Sequence, residues 1–131
     1  MTTALVVDDS AMDRRLIGGL LKRAGYEVLY AENGRHALEL LAEKLPDIVA
    51  TDLQMPELDG LELVAAIRQQ FPSVPVLLMT AHGSEEIAVK ALQKGAASYV
   101  PKRQLAKELV GTIQNILEVT LADDEGPATL N

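Results

Sequence analysis

Short unbroken apolar runs recur along the chain at Ala4–Val7, Tyr26–Ala31, Ile48–Thr51 (after Asp47), Val76–Met79 and Ala97–Val100. Runs of this kind, rich in branched residues and lacking polar alternation, fit strands covered on both faces, as in a parallel sheet. Between them apolar residues recur at helical spacing. Met12, Leu16, Ile17, Leu20 and Leu21 mark a first helix that stops before Gly25. Ala37, Leu38, Leu40 and Leu41 mark a second, opened by Asn33-Gly34. Leu61, Leu63, Val64 and Ile67 mark a third, which must end near Pro72. A fourth is expected over roughly Ser84 to Lys94, with Ser84 as N-cap and Gly95 as the stop. The last carries Leu105, Leu109, Ile113 and Ile116 on one stripe, widened by Val110 and Leu117.

Strict alternation of strands and helices predicts a parallel sheet covered on both faces by right-handed crossovers. The fifth strand belongs at a sheet edge, because Pro101 cannot donate to a ladder. After Leu121 the sequence Ala122-Asp123-Asp124-Glu125-Gly126-Pro127 loses periodicity. Residues 1–121 are therefore expected to form one domain, with 122–131 a flexible tail or linker stub.

Composition narrows the picture. The 131 residues, 48% of them hydrophobic, suffice for one core and leave no room for a second domain. The net charge of -7 argues against direct nucleic-acid binding, which needs a concentrated basic patch. No cysteine is present, so disulfides and thiolate metal sites are excluded. No basic leader followed by an apolar segment, and no apolar stretch of spanning length, is found. A cytoplasmic chain without membrane contact is the expectation.

In an open parallel sheet, ligands gather beyond the carboxyl ends of the strands. Those ends carry Asp8 and Asp9 after the first strand, Asp52 after the third, Thr80 after the fourth and Lys102 after the fifth. Carboxylates gathered on one rim repel each other and need a compensating charge; oxygen ligands of this kind suit Mg2+. A carboxylate is also a known nucleophile toward phosphoryl groups, forming an aspartyl-phosphate. Cation, ammonium and hydroxyl could then each serve one phosphoryl oxygen.

With these residues in place, the chain resembles the receiver domains of bacterial two-component response regulators over about Ala4 to Val119. The resemblance rests on the acidic pair Asp8-Asp9, on Asp52 within Asp52-Leu53-Gln54-Met55-Pro56-Glu57-Leu58-Asp59-Gly60, on Thr80-Ala81, on Tyr99 and on Lys102. It implies a flavodoxin-like doubly wound five-stranded parallel sheet with five helices. It also implies a phosphorylation-activated switch rather than an enzyme acting on external substrates: Asp52 accepts a phosphoryl group from a histidine kinase or histidine phosphotransfer protein, with Mg2+ required. By the same resemblance Asp9, Asp52 and the backbone carbonyl of Gln54 bind Mg2+ directly, and Asp8 acts through water. Lys102 and Thr80 hold the phosphoryl group, and Thr80 and Tyr99 transmit the change. The surface of the fourth helix, fifth strand and fifth helix then contacts a second copy or an output domain. Gln54 and His82 tune phosphoryl lifetime, and Met12, Arg14 and Arg15 are candidates for kinase docking.

One departure from the family pattern stands out. Proline usually follows the lysine, often through a cis bond, whereas here Pro101 precedes Lys102 and Arg103 follows it. A cis Lys102–Arg103 peptide would cost roughly 3 kcal/mol relative to trans.

Singly, these residues have plainer roles. Asp8 and Asp9 could serve the start of the first helix, Thr80 could cap a turn, Lys102 could be a surface charge and Tyr99 could pack. His36 on a polar helix face means little. Their joint placement at strand ends carries the argument. A nucleotide-binding module would want a glycine-rich turn where Asp8-Asp9-Ser10 stands. An aspartyl-phosphate phosphatase would want a second carboxylate where Gln54 stands. A receiver-like interaction module working without phosphorylation has no need of the intact set Asp9, Asp52, Thr80 and Lys102.

Overall fold

The computed structural model describes residues 1–81 and 85–129. In chain order it consists of β1 (Thr3–Val7), α1 (Ala11–Arg23), β2 (Glu27–Ala31), α2 (Gly34–Lys44), β3 (Ile48–Asp52), α3 (Gly60–Gln70), β4 (Val76–Thr80), α4 (Glu85–Gln93), β5 (Ser98–Pro101) and α5 (Leu105–Thr129). A single turn of 3-10 helix, Lys102–Gln104, joins β5 to α5. The strands form one parallel sheet in the order β2-β1-β3-β4-β5, so β5 lies at an edge as Pro101 requires.

Successive side chains on a strand point to opposite faces, and each run is divided accordingly. Leu5, Val7, Val49, Val76 and Leu78 face one core with Ala37 and Leu41 of α2, Leu63, Val64 and Ile67 of α3, and Ala88 and Ala91 of α4. Ala4, Val6, Ile48, Ala50, Leu77 and Met79 face the other, closed by Ile17 and Leu21 of α1 and by Leu109 and Ile113 of α5. This two-sided burial explains why the central strands read as unbroken apolar runs.

Helix ends follow local chemistry. Ser10 Oγ accepts the Asp13 N–H at 3.2 Å and caps α1, while Asn33 Oδ1 accepts the His36 N–H at 2.8 Å and caps α2. Asp59 and Glu62 form a reciprocal capping box on α3. Gly25 and Gly95, just past α1 and α4, take positive φ values of 96° and 113°.

The stripe on α1 is only partly core: Ile17 and Leu21 are sealed, but Met12 is 79% and Leu16 52% exposed. The final helix continues past Leu121 to Thr129, through the segment where the apolar pattern ends. Helical backbone geometry does not require an apolar stripe, and Ala122 and Glu125 are favourable helix residues by type. No cis peptide is present among the described residues, and Lys102–Arg103 enters the 3-10 turn as an ordinary trans bond. Ser84, expected as N-cap of α4, and His82, expected near the pocket, lie outside the described residues.

Candidate functional site

From β1 the chain crosses to β2 on one side and, after α2, to β3 on the other. Connections therefore diverge above the carboxyl ends of β1 and β3, leaving a crevice there. Asp8 and Asp9 follow β1, and Asp52 is the last residue of β3. One ligand atom from each of these three carboxylates lies within 4.8 Å of the others. Asp8 is wholly buried and Asp52 nearly so, whereas Asp9 is exposed at the mouth.

Backbone contacts fix the two inner carboxylates. The Asp8 N–H donates to the Ala31 carbonyl at 3.1 Å, and the Ser10 N–H donates to Asp8 Oδ1 at 2.9 Å. Arg14 returns from α1 to donate to the Asp8 carbonyl at 2.7 Å. Asp52 is in register with Met79, and the following Leu53 N–H donates to the Met79 carbonyl at 3.1 Å. The Thr51 hydroxyl donates to the Asp52 carbonyl at 3.0 Å. Gly60, the first residue of α3, donates its N–H to the Leu53 carbonyl at 2.8 Å. A Cβ on Gly60 would lie 2.7 Å from the Asp52 carbonyl oxygen and 2.8 Å from Leu53 Cα, so only glycine lets α3 begin this close.

Lys102 enters from the end of β5. Its Nζ lies 2.9 Å from Asp8 Oδ2, 2.9 Å from Asp13 Oδ2 and 3.4 Å from Asp52 Oδ1. Burial alone would lower the lysine pKa, but the hydrogen bonds to Asp8 and Asp13 and the charges of Asp52 and Asp8 outweigh it and raise the pKa. Asp52 is pushed up as well. Burial is the largest cause; the charge of Lys102 offsets part of it, Asp8 adds repulsion, and hydrogen bonds from Lys102 and the Gln54 backbone draw it back. The pocket thus holds carboxylates in excess of cationic charge. The three carboxylates offer hard oxygen donors, a set that fits a divalent ion such as Mg2+.

Asp8, Asp9, Asp52 and Lys102 are therefore brought together. Thr80 ends β4 in register with Pro101 and is 2% exposed, one residue beyond the partner of Asp52. Tyr99 is in register with Leu78 and packs half-buried against the core on the α2–α4 side. Gln54 is exposed and meets the pocket through its backbone. Of the residues considered for docking, Met12 and Arg15 are exposed, while Arg14 is turned back onto Asp8. Asp13 was not anticipated. The available signal was a further carboxylate four positions beyond Asp9, in the first turn of α1.

A doubly wound parallel sheet whose strand switch is lined by carboxylates and a reaching lysine is an architecture suited to phosphoryl chemistry at a carboxylate. Comparison with known sequences makes this specific: the chain belongs to the response regulator receiver domain family, whose sequence model matches residues 4–114. The chain is 40% identical over 112 residues to the DNA-binding transcriptional regulator NtrC of Escherichia coli, covering 86% of this chain and 24% of that protein. It is 39% identical over 120 residues to response regulator MprA of Mycolicibacterium vanbaalenii, covering 92% and 52% respectively. Among solved structures, NtrX from Brucella abortus superposes with a TM-score of 0.93 at 32% identity, covering 98% of this chain and 30% of that one. A response regulator receiver domain protein from Clostridium thermocellum gives 0.85 at 32% identity, covering 90% and 95%.

The chain thus spans about a quarter of NtrC and half of MprA. The expected absence of nucleic-acid contact gains no support here, since NtrC is by name DNA-binding. Among the described residues no helix is long and apolar enough to cross a membrane.

Proposed function

We propose that Asp52 is the phosphoacceptor of this receiver domain. A carboxylate oxygen of Asp52 attacks the phosphorus of a phosphohistidine on a histidine kinase or histidine phosphotransfer protein. The P–N bond breaks, its electron pair stays on the imidazole nitrogen, which takes up a proton from solvent, and an aspartyl-phosphate forms. The observation that carries this reading is the position of Asp52: at the end of an inner strand, within 4.8 Å of two further carboxylates and 3.4 Å from the Lys102 ammonium.

The remaining roles follow from the same pocket. Bound Mg2+ supplies positive charge that offsets the carboxylates and the incoming phosphoryl oxygens. Asp9, Asp52 and the Gln54 carbonyl would hold it, with Asp8 acting from behind through water. Lys102 and the Thr80 hydroxyl bind the phosphoryl oxygens. Movement of Thr80 toward the new anion opens space for Tyr99, which alters the α4–β5–α5 surface toward a second copy or an output domain. We take residues 1–121 as the working unit, active in the cytoplasm beside its phosphodonor.

Intact mass after incubation with acetyl phosphate and Mg2+ tests the central step. Wild type should gain one phosphate and Asp52→Asn none. A wild type that gains none, or a mutant that gains as much, overturns the assignment.

A further inference from the structure

Asp13 has no part in the phosphotransfer outlined above, yet it holds the pocket lysine as closely as Asp8 does. Lys102 Nζ is 2.9 Å from each of these two carboxylates and 3.4 Å from Asp52. Both of its shortest contacts lie on the β1–α1 side of the crevice, so the ammonium, while still paired with Asp52, sits about half an ångström closer to the α1-side carboxylates than to the nucleophile. The two differ in how they are held. Asp8 is sealed and already accepts the Ser10 N–H. Asp13 is 37% exposed, and the Ser10 cap fixes its backbone at the start of α1.

An ammonium has three protons to donate. Here two of them serve the α1-side carboxylates at short range. A phosphoryl group on Asp52 would bring new anionic oxygens that need the same donor. We infer that Asp13 is a positioning residue that draws Lys102 toward α1 and so weakens the grip of the lysine on a phosphoryl group at Asp52. The inference rests on the reading of Asp52 as phosphoacceptor. A carboxylate in the first turn of a helix also favours the helix dipole. That role alone, however, would leave the affinity of the pocket for a phosphoryl mimic unchanged.

Beryllofluoride with Mg2+ serves as the mimic. Its affinity is measured for wild type, Asp13→Asn, Asp13→Ala, Asp13→Glu and, as a control for net charge, Glu118→Gln on the exposed side of α5. Asp13→Asn and Asp13→Ala should each bind about two- to five-fold tighter, the scale of a partly exposed ion pair. Asp13→Glu, which restores the charge, should return to the wild-type value, and Glu118→Gln should match wild type. Unchanged or weaker binding by both Asn and Ala variants overturns the inference, as does equal tightening by Glu118→Gln. If wild type binds no beryllofluoride, or Asp52→Asn binds it equally well, the phosphoacceptor reading itself has failed.

Discussion

Lys102 donates at 2.9 Å to Asp8, a carboxylate with no exposed surface, and it is the ammonium that makes burial of that carboxylate tolerable. Replacing it with methionine keeps the stem and removes the charge. Because the lysine side chain is 24% exposed, the cost should be moderate, about 1–3 kcal/mol in metal-free buffer. Adding Mg2+ should restore part of the loss. Urea denaturation with and without Mg2+ measures both, and equal midpoints for wild type and Lys102→Met would contradict the role given to the lysine.

Asp52 titrates above its ordinary value of 3.8, chiefly because it is buried. Between 3.8 and the higher folded value the native state holds the extra proton. The associated stability is therefore full below 3.8 and lost as pH rises through the folded value. Asp52→Asn cannot ionise, so near neutral pH without metal it should melt above wild type, and the gap should close on acidification. Lys102 behaves likewise at the alkaline end: its contribution is full below 10.5 and lost as pH rises through its raised folded value. Thermal melts across pH check both, and a gap that widens on acidification would refute the first.

Asp9 is the exposed member of the acidic trio, so Asp9→Asn should leave metal-free stability within about 0.5 kcal/mol of wild type. Its effect should appear as metal affinity weakened by on the order of ten-fold. Because a ligand that binds only the folded state stabilises it by mass action, a Mg2+ titration of the melting temperature reads the shift. Coincident titration curves would show that Asp9 does not ligate the ion.

Gly60 and Gly111 make a paired test of glycine. A methyl group at Gly60 meets the backbone of Asp52 and Leu53, whereas one at Gly111 in α5 meets nothing within 4 Å. Gly60→Ala should cost about 1–3 kcal/mol and weaken Mg2+ binding by displacing Asp52. Gly111→Ala should stabilise by up to about 1 kcal/mol through helix propensity. Denaturant midpoints compare them, and similar values for the two variants would rule out the close approach at Gly60.

Much of this arrangement was legible in the chain because burial on both faces leaves an unmistakable record: Val49 and Ala50 belong to opposite cores, so neither could be polar. The pocket was legible because strand ends announce themselves, with Asp52 closing an apolar run and Lys102 following Pro101. Asp13 escaped because its value depends on how α1 is rotated against β5, a relation no local pattern encodes. The exposure of Met12 and Leu16 escaped for a similar reason: helical spacing identifies a stripe, but which part of it meets the sheet depends on where the helix crosses. Helix α5 outran its apolar stripe because helical backbone hydrogen bonding does not require the apolar pattern to continue.

The hydrogen bond between Lys102 and Asp8 joins residues 94 positions apart, one at the end of β1 and the other just beyond the edge strand β5. That strand has four residues and pairs with β4 alone. The same ammonium that neutralises Asp8 and Asp52 therefore also pins the chain beyond β5 to the end of β1, so the pocket is a tie across the sheet as well as a cluster of charges.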